Sequence, residues 1–180
     1  ALGAPMGAFE LVEAIGPAVV ADSARLLSEA FGGGFYAPTP FLVTRGAGAE
    51  PAEPQGELQP ELVEGVKRQI LGAVFLVAWQ LIDEQAVLEQ DETGARRAID
   101  TAVRLGFAWQ NGLFAQMERL GAQRTLQLVQ EVARAYDVDV PDSLQRWVRQ
   151  EFIDAMEHRA AAPGQETVGG PAAEPPAHLR

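Results

Sequence analysis

A glycine-bounded unit recurs in this chain. Gly7, Phe9, Glu13 and Gly16 reappear 105 positions later as Gly112, Phe114, Glu118 and Gly121. The apolar positions keep the same register: Val12 falls on Met117, Ile15 on Leu120, Ala24 on Val129, Leu27 on Val132 and Phe31 on Tyr136. A glycine, a phenylalanine two residues on and a second glycine seven further, followed by a 3.6-residue apolar period, specify a tight turn, a short helix, a second turn and a longer helix. The same sequence of elements is expected twice, so the fold class is all-α, a helical bundle of two related, duplicated units.

Proline and glycine punctuate the rest. A short helix over Phe9–Ile15 stops at Gly16. Pro17 then suits the first turn of a helix to Phe31, whose stripe is Val20, Ala24, Leu27 and Phe31. Gly32-Gly33-Gly34 ends it. Residues 35 to 60 hold Pro38, Pro40, Pro51, Pro54 and Pro60, which predicts an extended linker. A long helix over about Glu61–Gln85 is apolar nearly all round from Ile70 to Ile82, broken only by Gln80, and so is expected to be buried. That run is too short for a membrane span, which needs roughly 20 apolar residues. Asp91, Glu92 and Thr93 open a helix ending at Gly106, with Ala95, Ile99, Ala102 and Val103 inward. Helices over Leu113–Leu120, Ala122–Tyr136 and, from Pro141-Asp142-Ser143, to about Arg159 complete the chain. The last has Leu144, Trp147, Phe152 and Met156 as its apolar positions. Residues 161–180, rich in Ala, Pro, Gly and Glu, predict a flexible tail. The organisation expected is a truncated first copy over 1–45, a linker over 46–60, a second copy over 61–160 and the tail. A chain opening Ala1-Leu2-Gly3, with neither initiator Met nor secretory leader, reads as a piece of something longer.

Charge narrows the partners. The net charge is −11, which opposes binding to nucleic-acid phosphates and to anionic membrane surfaces. There is no cysteine, which removes disulfides, thiolate zinc sites and thiol nucleophiles and suits a reducing, cytoplasmic setting. Of two histidines, His158 falls at a helix C-terminus, where it complements the dipole, and His178 falls in the tail. Neither has a carboxylate partner in the pattern for proton abstraction. Gly32-Gly33-Gly34 follows a helix, not a strand, so it is a helix stop and not a phosphate loop. Asp83-Glu84 and Asp91-Glu92 are read as helix-end charges, and Trp79 and Trp109 as core or interface residues.

The stretch Gly3-Ala4-Pro5-Met6-Gly7-Ala8-Phe9-Glu10-Leu11, with Ile15-Gly16, resembles the helical C-terminal domain of 3-hydroxyacyl-CoA dehydrogenases, where a pattern close to G-x-P-M-G-P-F-E-L-x-D-x-x-G occurs. Leu81-Ile82-Asp83-Glu84, Ala98-Ile99-Asp100 and Leu105-Gly106-Phe107-Ala108-Trp109 with Gly112 resemble later parts of that domain. The resemblance covers roughly residues 1–145. Ala8 stands where the family has proline, and Gln110-Asn111 replace a proline and its neighbour.

The resemblance implies a fold like the C-terminal domain of 6-phosphogluconate dehydrogenase, in tandem copies as in multifunctional β-oxidation proteins. It implies a fragment of an NAD-dependent 3-hydroxyacyl-CoA dehydrogenase with no catalytic or metal-binding residue of its own. The catalytic His and Glu and the NAD-binding loop would belong to an upstream Rossmann domain. Acyl-CoA would be met by the full chain, with Pro5, Met6 and Gly7 as substrate-binding residues; methionine suits an adaptable apolar wall. Leu76 falls where the family's catalytic copy has a substrate-contacting Asn, which makes the second copy structural. Homodimerisation is a further partner expectation. Two other readings stand beside this one: a non-catalytic helical scaffold or dimerisation module, and the helical domain of another NAD(P)-dependent hydroxyacid dehydrogenase.

Overall fold

The computed structural model describes residues 7–32, 34–49, 59–89 and 91–161. They form eight helices and no strand: α1 (Ala8–Ile15), α2 (Pro17–Phe31), α3 (Pro40–Gly46), α4 (Pro60–Asp83), α5 (Glu92–Gly106), α6 (Leu113–Leu120), α7 (Ala122–Tyr136) and α8 (Asp142–Ala161). The chain is all-α. The tail beyond Ala161, Gly33 and the linker over 50–58 lie outside the described residues.

The glycine punctuation sets two matching pairs. α1 and α6 are eight residues each, α2 and α7 fifteen each. The glycines before the short helices are extended, Gly7 at φ −69° and ψ 157°, Gly112 at −68° and 161°. The glycines between the helices are both at positive φ, Gly16 at 104° and Gly121 at 84°, a region a side chain rarely enters. One helix appears where an extended linker was expected. α3 starts at Pro40 because Thr39 caps it, its hydroxyl accepting from Leu42 N–H at 3.2 Å, and proline is well placed at a first helical position.

The core lies among α4–α8. Phe75, Leu76, Ala78 and Trp79 of α4 pack with Ile99 and Val103 of α5, Leu113, Phe114 and Met117 of α6, Leu128, Val129 and Val132 of α7, and Leu144 and Val148 of α8. Gly72 makes the α4–α7 crossing close: a methyl group there would stand 2.4 Å from Leu128 O and 2.7 Å from Val132 Cγ2. The expected burial of the run from Ile70 to Ile82 therefore holds for the side of α4 facing α7. Ile70, with Leu62 and Val66, stays exposed. α4 is also the one helix, among the described residues, long and apolar enough to cross a membrane by length and composition. The sequence count missed this by stopping at the 70–82 run, and the centre of α4 forms this core instead. Ala102, expected inward, is exposed, as are the apolar Phe152 and Met156 of α8, whereas Ala95, Ile99, Val103 and Leu144 are buried.

The first three helices differ. No side chain of α1, α2 or α3 is buried. α3 lies on α2, where Gly46 meets Ala21 and Ala18, and Arg45 bridges to Glu13 of α1 at 2.7 Å. No helix of this unit packs against α4–α8. The link is made by Phe35, edge-on to Tyr136, and by Tyr36, whose hydroxyl lies 3.5 Å from Gln80 Oε1. In the stripe Val20, Ala24, Leu27 and Phe31, which has the expected period, Val20 and Ala24 are half-buried while Leu27 and Phe31 are exposed.

Candidate functional site

Pro5 and Met6 lie outside the described residues. Gly7 is exposed at the N-cap of α1, where its N–H donates to Glu10 Oε2 at 2.8 Å. No side chain caps α1 in the manner of α6. At α6 the carboxylate of Asp100 accepts from Phe114 N–H at 2.8 Å and Ala115 N–H at 3.2 Å. Gly112 makes room for it, since a methyl group there would stand 2.1 Å from the carboxylate. Asp100 thus joins α5 to the exposed amides and positive dipole end of α6.

A second carboxylate does the same 59 residues across the chain. Asp83, at the end of α4, accepts from Asp142 N–H at 2.7 Å and from Ser143 N–H at 3.1 Å, seating the start of α8. The Ser143 hydroxyl donates to Trp79 O at 3.4 Å. Asp83 and Asp142 line a cleft of about 500 Å³ with Gln80, Glu84, Asp139 and Gln145. Its acidic wall disfavours phosphate-bearing ligands, and Asp83 is committed to helix amides. Among the described residues no group of three or more His, Asp or Glu side chains is placed to hold a metal ion.

The most concentrated chemistry is an aromatic box about Arg96. Its guanidinium lies 4.5 Å from the Trp79 ring centroid, 5.6 Å from that of Phe114 and 5.7 Å from that of Trp147. Trp79 stacks on Trp147 at 5.5 Å, and its indole N–H donates to Met117 Sδ at 3.1 Å. Arg96 also pairs with Glu92, which Arg146 approaches at 3.8 Å. The cation fills the box itself, so this is a cation–π core joining α4, α5, α6 and α8. The sequence reading placed Trp79 in the core but missed Arg96; the i, i+4 spacing of Glu92 and Arg96 was the available signal.

The remaining expectations fall as follows. Leu76 is fully buried in the core. Trp109 is half-buried, tilted against Phe107. Asp91 caps α5, accepting from Gly94 N–H at 2.7 Å. His158 Nδ1 is 2.9 Å from Asp154 O near the end of α8. Gly32 ends α2 at φ 70°, with its N–H donating to Ser28 O. Two carboxyls titrate below the ordinary glutamate range: Glu13, through its hydrogen bond from Arg45, and Glu64, through that from Lys67. The Tyr36 phenol is raised by burial and by the charge of Glu84. Compared with protein-family models, curated proteins and solved structures, the chain gives no match.

Proposed function

We propose that this chain is the helical C-terminal portion of an NAD-dependent 3-hydroxyacyl-CoA dehydrogenase of fatty-acid β-oxidation, built from two related units and acting in the cytoplasm. The supporting observation is the paired geometry of α1–α2 and α6–α7, with equal helix lengths and like glycine angles at the positions of the resembling motif. The described residues do not fit NAD themselves, because Gly32 follows a helix and no strand–turn–helix phosphate cradle is formed. Cofactor and catalytic pair are assigned to a preceding dinucleotide-binding domain. The role of this chain is to wall the acyl pocket with Pro5, Met6 and Gly7, and to hold that wall on a helical base. The second unit is structural, its Leu76 closing the core where a polar substrate contact would otherwise stand.

The test is acyl-CoA-dependent NAD reduction by the chain joined to its natural upstream sequence. Met6→Ala should raise KM for long-chain 3-hydroxyacyl-CoA more than for short. Absence of any dinucleotide-binding domain upstream sinks the reading. Turnover of a short free hydroxyacid without acyl-CoA binding favours the helical domain of another NAD(P)-dependent dehydrogenase. A scaffold or dimerisation role is supported by a separate observation, the uncovered apolar face of α1–α2.

A further inference from the structure

The 105-residue register that pairs α1 with α6 also pairs the residues around them. Met6, Leu11, Ala14 and Ile15 of the first unit fall on Asn111, Gln116, Arg119 and Leu120 of the second. Three of these four positions change from apolar to polar. In the folded chain the four second-unit residues come together. With Leu71 of α4 they line a solvent-open pocket of about 260 Å³. Gln116, Arg119 and Leu120 stand at i, i+3 and i+4 on one face of α6, and Asn111 lies in the turn that enters it. Leu71 and Leu120 supply the apolar part of the lining.

The polar part is unpartnered within the chain. Gln116 Nε2 is buried, yet no group among the described residues accepts from it. A native donor in that condition is uncommon and marks a place where an acceptor from outside the chain fits. Arg119 turns its Nε onto Ala115 O at 3.2 Å, which fixes the guanidinium beside α6. It forms no ion pair among the described residues. No Asp or Glu side chain lines the pocket, so a local positive charge persists in a chain of net charge −11. We propose that this pocket binds a small aliphatic carboxylate. The Nη groups of Arg119 and the amide N–H of Gln116 donate to the carboxylate oxygens, and a short hydrocarbon chain lies on Leu71 and Leu120. A planar carboxylate presents two acceptors to the fork of a guanidinium, and its single charge matches the single cation. The volume lies below that of an ordinary drug-sized pocket, which suits a ligand of few heavy atoms. A phosphate would bring a second negative charge to one cation in an already acidic chain. The site is built by α4 and α6 and needs neither α1–α3, NAD nor acyl-CoA. It therefore stands or falls apart from the acyl-pocket role given to Pro5, Met6 and Gly7.

The test is an NMR titration of the full 180-residue chain with sodium butyrate, and in parallel with butyramide and with inorganic phosphate at matched ionic strength. Butyrate should bind with a Kd on the order of 1 mM. It should move the side-chain amide signals of Gln116 and Asn111 most, and uncharged butyramide should leave them in place. Arg119→Gln should weaken butyrate binding at least about tenfold. Gln116→Leu should weaken it too, while the free chain melts at the same temperature or higher, because an apolar group of similar size replaces an unpartnered buried donor. No shift at these residues up to about 50 mM butyrate overturns the inference. So does butyramide binding as tightly as butyrate, or an Arg119→Gln variant of unchanged affinity. Phosphate binding in place of butyrate overturns it in favour of a phosphorylated ligand. A Gln116→Leu chain that unfolds more easily overturns the part given to Gln116, and Arg119→Gln, at an exposed side chain, still decides the rest.

Discussion

Replacing Gly72 by alanine tests whether α4 and α7 cross as closely as this architecture requires. The added methyl group would stand 2.4 Å from Leu128 O, 2.7 Å from Val132 Cγ2 and 3.0 Å from Leu128 C. A carbon–oxygen contact settles at about 3.3 Å or more, so α4 must retreat from α7 by nearly an ångström. The obstacle is backbone, which cannot rotate away as a side chain would. A gap of that size forfeits a quarter to a half of each contact it opens, and those contacts join Phe75, Leu76 and Trp79 to Leu128, Val129 and Val132. Overpacking of this kind costs about 3 kcal/mol. The higher helix propensity of alanine returns about 1 kcal/mol, leaving a net loss of about 2 kcal/mol. For a unit of this size that is a fall in Tm of roughly 8–16 °C. Gly65→Ala on the same helix is the control, because a methyl group there meets nothing within 4 Å; it should stabilise by up to about 1 kcal/mol. Urea unfolding followed by tryptophan fluorescence is the assay, since Trp79, Trp109 and Trp147 all lie in the α4–α8 unit. A Gly72→Ala variant as stable as Gly65→Ala would refute the crossing.

Three further outcomes are expected. Asp83→Ala removes the acceptor for Asp142 and Ser143 N–H and should lower stability by about 1–2 kcal/mol, with Asp83→Asn recovering part; denaturant midpoints decide it. Asp100→Ala should cost a similar amount at α6, and Gly112→Ala more. In the double variant the clash disappears, so its loss should match that of Asp100→Ala alone rather than the sum. Glu13 carries a folded-state pKa below its unfolded value because Arg45 donates to it. The stability this pair lends the α1–α3 unit is present above the unfolded glutamate pKa and is lost as pH falls through the lower folded value. NMR titration should place the Glu13 midpoint below the ordinary glutamate range, and Arg45→Gln should move it up to that range.

Much of the local structure was written in single residues. Gly16 and Pro17, then Gly121, fixed the ends of α1, α2, α6 and α7, because a glycine at positive φ stops one helix and a proline starts the next without reference to distant parts. α3 escaped because Pro38 and Pro40 read as linker composition, while the decisive residue was the capping Thr39. The candidate contacts at Pro5 and Met6 rest on resemblance, and only Gly7 of the three is described.

What the sequence determined by itself was therefore the helices, their breaks and the period of their apolar stripes, all of which follow from interactions within a few residues. Which stripes are covered was decided by tertiary structure. Leu27 and Val132 occupy matching places in matching helices, yet Val132 is buried and Leu27 is exposed, because the long α4 lies over α7, whereas the short α1 and α3 are the helices packed on α2 and they leave Leu27 uncovered. The carboxylates show the same division. Asp83 and Asp100 read as helix-end charges or as motif residues, and became caps for α8 and α6 only when folding brought them to amides 59 and 14 residues away. Burial and capping depend on what arrives from elsewhere in the chain, and no local period records that arrival.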